Sequence, residues 1–134
     1  MLGLLRTADR LRRHFERVLE PYGITGQQYN VLRILRGAGT AGIPTLDIAE
    51  RLVEQTPGIT RLLDRIEKKG WVRRERCAED RRQVLCYSTA AGLTLLAQLD
   101  SVVDRRELEA VAGLSRAEQK QLIRLLDALR SGLA

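Results

Sequence analysis

The run Thr56-Pro57-Gly58-Ile59-Thr60-Arg61-Leu62-Leu63-Asp64-Arg65-Ile66-Glu67-Lys68-Lys69-Gly70-Trp71-Val72-Arg73-Arg74 decides the fold. Ile59, Leu62, Leu63 and Ile66 recur at i, i+3, i+4 and i+7, the stripe by which an amphipathic helix meets a core. Thr56 reads as its N-cap and Pro57 as its first helical residue, while Lys68, Lys69 and Gly70 suit its end, so the spacing predicts a helix over 57–69. With the stripe turned inward, Gly58, Thr60, Arg61, Asp64, Arg65 and Lys68 fall on the outer flank. Two β-prone runs follow at 71–76 and 83–88, around a charged tip at 78–82, and predict a hairpin.

Upstream of this run, Pro44 and Thr45 open a short helix with Ile48, Ala49, Leu52 and Val53 as its buried stripe, after a three-glycine loop over 37–42. Thr25 and Gln28 have capping-box spacing and start an earlier helix carrying Tyr29, Leu32, Ile34 and Leu35, stopping near Gly37. The first 20 residues form an amphipathic helix that Pro21 and Gly23 end. Downstream, Thr89 caps a long helix with Leu93, Leu96, Leu99, Val102 and Val103, ended by Gly113. Ser115 with Glu118 opens a last one carrying Leu122, Leu125, Leu126 and Leu129. The expected class is mainly α with a small β-hairpin wing: a winged helix-turn-helix domain over 25–89, between an N-terminal dimerisation helix in 1–24 and C-terminal dimerisation helices in 90–134.

The chain has 134 residues, enough for one domain with a helical appendage, and at 44% hydrophobic and 30% charged it is apolar enough to fold. No apolar run reaches the roughly 20 residues a spanning helix needs, and no signal-peptide core is seen, so a cytoplasmic location is expected. Cys77 and Cys86 fit neither a disulfide scaffold nor a zinc motif, and no metal or cofactor is expected. The charge is informative in its placement. Between Arg61 and Arg82 nine basic residues face five acidic ones, a net of +4 out of +6 for the whole chain. Such a concentration points to a polyanion-facing surface, although a solvated charged face has the same composition.

A basic helix after a tight turn, followed at once by a basic hairpin, supplies the geometry for duplex DNA. The major groove admits one helix, and residues in its N-terminal half reach base edges first. Thr56, Gly58, Thr60 and Arg61 are therefore the candidate base readers. Lys68, Lys69 and the hairpin arginines, among them Arg73, Arg74 and Arg81, are placed for phosphates, and Arg65 and Thr45, the latter at the head of the preceding helix, are further DNA-binding candidates. A winged helix used for protein contacts is the competing reading, and the basic outward residues argue against it. No catalytic triad, metal cluster or phosphate loop appears in the sequence, and an enzyme is not expected.

The segment from Thr60 to Arg74, continued by Asp80-Arg81-Arg82 and by Thr89 with Gly92, resembles the recognition helix, wing tip and following Thr-x-x-Gly of the multiple antibiotic resistance regulator (MarR) family of transcription factors. Ser88 stands where that family usually has Leu, and Pro57-Gly58 is an unusual head for the reading helix. The resemblance implies a homodimer built from the first, fifth and sixth helices. It also implies that Arg82 enters the minor groove with Asp80 orienting it. Two-fold symmetry then sets the reading helices about one DNA turn, ~34 Å, apart, on a palindromic operator. It further implies a response to small anionic aromatics or to oxidants. His14, the only histidine, is either a ligand contact or an interface or surface residue. Redox sensing through Cys77 or Cys86 stands against Cys86 as a small buried apolar group.

Overall fold

Three of the helices begin where a side chain supplies the missing partner for a first-turn N–H. Thr25 and Gln28 bond reciprocally, as do Ser115 and Glu118, and the Thr89 hydroxyl accepts the Gly92 N–H. The computed structural model describes residues 1–53 and 57–134. Among these the chain forms α1 (Leu2–Leu19), α2 (Gly26–Ala38), β1 (Ile43–Pro44), α3 (Thr45–Arg51), α4 (Ile59–Lys68), β2 (Val72–Arg76), β3 (Val84–Ser88), α5 (Ala90–Ala110) and α6 (Arg116–Ser131). None of the described helices is long and apolar enough to cross a membrane.

The hairpin is present, and it gains a third strand that local reading missed. Ile43 and Pro44 pair antiparallel with Cys86 and Leu85, giving a sheet of order β1-β3-β2. The partners lie more than 40 residues apart in sequence, so no local pattern announces the pairing. Space for it depends on Gly42, at φ 72, where an added Cβ would lie 2.5 Å from the Tyr87 ring. The preceding segment is shorter as a loop than expected, because α2 runs through Ala38 and a 3₁₀ turn occupies Gly39–Ala41.

Three further expectations are corrected. The reading helix starts at Ile59 and not at Pro57. Gly58 is its N-cap with φ 98, a left-handed backbone that glycine adopts without strain and that ends helical geometry on its N-terminal side. Thr56, read as the cap, lies outside the described residues. Val53, expected in the stripe of α3, is 86% exposed because the helix stops at Arg51 and Leu52 takes an extended backbone that turns the chain outward. Leu93 is also exposed, and Leu95 packs inward with Leu96, Leu99 and Val103.

The core gathers Val31, Leu32 and Leu35 from α2, Ile48 from α3, Leu63 and Ile66 from α4, and Val72 and Cys86 from the sheet. Leu19 and the inward face of α5 close it. At the end of α4 the connections are polar. The Lys69 ammonium donates to the Gly23 carbonyl and to Gln28 Oε1 at 3.3 Å, and it lies 4.8 Å above the Trp71 ring. The Thr89 hydroxyl donates to the Gly70 carbonyl at 2.6 Å, and the Thr89 N–H to the Trp71 carbonyl at 3.1 Å. These bonds join the start of α5 to the turn between reading helix and wing. A single ion pair, Arg36 to Asp100 at 2.8 Å, ties α2 to α5 among the bonds described.

Candidate nucleic-acid interface

α4 has Leu63 and Ile66 fully buried, and this fixes its rotation about its own axis. Thr60, Arg61, Arg65 and Lys68 are consequently exposed on one flank, with Gly58 exposed at the helix start. Arg61, Arg65 and Gly58 border one open cleft, shared with Gln27 of α2. Thr60 and Arg82 border a second, of about 350 Å³, together with Thr45, Arg74 and Gln83. The helix flank and the wing thus share this cleft.

Not every candidate side chain is available to a ligand. Arg74 bridges two carboxylates of the reading helix, reaching Asp64 at 2.5 Å and Glu67 at 2.9 Å, and is itself mostly covered. The hydrogen bond to Glu67 chiefly, helped by that to Asp64, holds the Arg74 guanidinium above its ordinary pKa range despite the opposing cost of burial. Its structural part is to set the wing strand against α4. Thr45 is engaged as well: its hydroxyl donates to the Val84 carbonyl at 3.3 Å and lies 3.6 Å from Cys86 Sγ. Arg73 stacks over Tyr87 with its guanidinium 4.5 Å from the ring centre and pairs with Glu75. At the wing tip the Asp80 carboxylate accepts the Arg82 backbone N–H at 3.0 Å, and Arg76 donates to the Arg81 carbonyl at 3.0 Å, so the tip is shaped by its own backbone contacts. Arg81 and Arg82 are exposed there.

Because its carboxylate partners are about half exposed, Arg74 contributes modestly to stability. Arg74→Ala is expected to lose about 1 kcal/mol in urea denaturation, and Arg74→Lys to recover little of it, since an ammonium does not span two carboxylates as a guanidinium does. Full recovery by lysine would show that the charge, and not the fork, matters.

A separate cavity of about 380 Å³ lies between α1, α2 and α5. Phe15, Leu19, Tyr29, Leu52 and Val103 give it an apolar lining, and Arg33, 5.7 Å from the Tyr29 ring centre, adds a cation at its edge. His14 does not line it. The ring packs edge-on against Phe15 at 5.6 Å, and its Nε2 is buried with no hydrogen-bond partner among the described residues. Cys86 is fully buried, and burial chiefly pushes its thiol above the ordinary range, which disfavours the reactive thiolate.

Comparison with known proteins agrees with this geometry. The MarR family model matches residues 24–84, the span from the second helix to the wing. The HTH-type transcriptional regulator FarR of Neisseria gonorrhoeae is 31% identical over 97% of this chain and 92% of its own length. The chain belongs to the MarR family. Its members are transcriptional regulators, and this is not a family of enzymes. Two solved structures are similar over nearly the whole chain. A mutant of MarR from E. coli complexed with operator DNA has a TM-score of 0.86 at 30% identity, covering 96% of this chain and 92% of that one. The S. aureus MepR–DNA complex has a TM-score of 0.88 at 27% identity, covering 98% and 97%. In this MarR-family regulator, sequence reasoning missed the two engagements of Arg74 and the place of Leu46 beside Thr60 and Arg82. The first has no local signature, since Asp64 and Arg74 sit on different elements; the second was legible as an apolar residue off the Ile48 stripe.

Proposed function

We propose that this regulator binds an inverted-repeat operator as a homodimer and represses by occluding a promoter. The single observation that carries the reading is the exposed flank of Thr60, Arg61, Arg65 and Lys68 on α4, continued by Arg82 on the wing. On this reading Thr60 and Arg61 meet base edges in the major groove, with Arg61 able to form a bidentate contact to guanine. Arg65, Lys68, Arg73 and Arg81 add affinity through phosphates, and Arg82 enters the neighbouring minor groove. Arg74 and Thr45 act as positioning residues, given their engagement within the protein. The similarity to two proteins solved with DNA supports the same assignment.

The homodimer reading is supported by α6, which has no buried residue among those described although Leu122, Ile123, Leu125 and Leu129 line it. Leu2, Leu4, Leu5 and Leu108 extend the exposed apolar surface on α1 and α5. The cavity between α1, α2 and α5 is the proposed seat of a small anionic aromatic effector, with apolar walls for the ring and Arg12 and Arg33, set against Glu16 and Glu107, for the anion. An effector that weakens DNA binding tenfold must discriminate between the two conformations by about 1.4 kcal/mol.

The test is selection of duplexes from a randomised library by the wild-type protein, followed by anisotropy titrations over a range of salt. Arg82→Ala is expected to weaken binding to all selected duplexes and to reduce the salt slope by about one. Arg61→Ala is expected to alter the selected sequence itself. If no sequence is enriched, or if the selected sequence is the same for Arg61→Ala, the base-reading assignment is wrong.

A further inference from the structure

We propose that Leu46 is a DNA contact, an apolar seat for one deoxyribose of the strand that passes between the two grooves. The proposal rests on the DNA-binding reading above and extends it to a residue outside the basic set. Leu46 is 75% exposed on the first turn of α3. Most other exposed large apolar residues lie on α1, α5 and α6, where a second copy of the chain would cover them. Leu46 has no such explanation. It lines the cleft of about 350 Å³ that also holds Asp47, Thr60, Arg82 and Gln83.

A helix in the major groove and a wing arginine in the adjacent minor groove leave one sugar-phosphate strand crossing the protein between them. Thr60 belongs to the first of these elements and Arg82 to the wing, so the cleft they share is where that strand runs. Its electrostatics are uneven. Asp47, next to Leu46, repels a phosphate, whereas Arg82 attracts one. The phosphate therefore goes to the wing side, and the uncharged sugar, with its C–H face, meets Leu46. Arg74 adds little attraction because Asp64 and Glu67 already neutralise it. The Thr45 hydroxyl, bonded to the Val84 carbonyl, holds the first turn of α3 against β3, so Leu46 is presented without rearrangement.

An apolar contact releases no counterion, and a sugar carries no sequence information, which gives the proposal a signature distinct from every arginine. The probe is a duplex recovered from a randomised library by the wild-type, full-length protein, titrated by anisotropy across a salt series. Leu46→Ala is expected to bind about fivefold more weakly at each salt, with an unchanged slope and selected sequence, while Leu46→Met retains affinity. Thermal melting accompanies each variant, and a largely exposed leucine predicts unchanged midpoints. Unchanged affinity for Leu46→Ala overturns the proposal, as does a changed salt slope or a shifted preference at one base pair. Arg82→Ala separates the two levels. If it weakens binding and Leu46→Ala does not, only the sugar seat is refuted; if neither weakens binding, the DNA surface is refuted with it.

Discussion

Gly92→Ala is expected to destabilise the protein by about 2–3 kcal/mol, against the roughly 1 kcal/mol that alanine would gain in an unconstrained helix. Gly92 is buried in the first turn of α5, where an added Cβ would meet the Trp71 carbonyl oxygen at under 3.0 Å, and carbonyl carbon at 3.2 Å. The obstruction is backbone and not the end of a flexible side chain, so relief requires α5 to move off the turn between reading helix and wing. That turn is held by the Thr89 bonds to Gly70 and Trp71, which the same movement would stretch. Gly3 provides the internal control: it lies in α1 with nothing within 4 Å of an added Cβ, and Gly3→Ala is expected to be neutral or stabilising. Urea denaturation of both variants measures the difference. A midpoint for Gly92→Ala at or above that of the parent protein would remove the steric account of the Thr-x-x-Gly pattern.

Replacing Leu125 and Leu129 together by glutamate is expected to leave the winged domain folded, dissociate the homodimer, and lower operator affinity at least about a hundredfold. Both leucines are exposed on α6, whose residues contribute nothing to the buried cluster that holds α2, α3, α4 and the sheet. In the proposed dimer, two carboxylates placed in its apolar two-fold interface would be present twice each, and burying them without partners would cost far more than the leucines contribute. On the proposed inverted-repeat operator, loss of the dimer would remove the second half-site contact, which otherwise acts at millimolar effective concentration. Sedimentation equilibrium reports the mass and anisotropy the affinity. A variant that remains dimeric would place the interface elsewhere; one that is monomeric yet binds operator as before would mean that a single lobe suffices.

The features legible in the sequence were those whose causes are local. The Thr25 and Ser115 capping boxes were read from three-residue spacings, and both form with reciprocal bonds, because the partners of a cap lie within one turn. The stripe of Ile59, Leu62, Leu63 and Ile66 set the face of α4, so the outward position of Thr60, Arg61 and Arg65 followed from helical period. The hairpin was located within one residue at each strand, since β-prone runs flank a charged tip.

What the sequence determined by itself was therefore the order and type of the main elements and the basic face of the reading helix, which depend on side chains a few residues apart. Tertiary structure decided the rest. The strand at Ile43–Pro44 exists because Leu85 and Cys86 of β3 lie alongside it. The reading helix begins at Ile59 because the backbone at Gly58 is left-handed, whereas the Thr56-Pro57 pattern favoured an earlier start. Arg74 became an internal bridge because strand β2 folds back over α4, bringing Asp64 and Glu67 within bonding distance across the turn. The added strand and the Arg74 bridge depend on which distant groups share a volume, and that is decided only when the core of Val31, Ile48, Leu63, Ile66 and Cys86 closes.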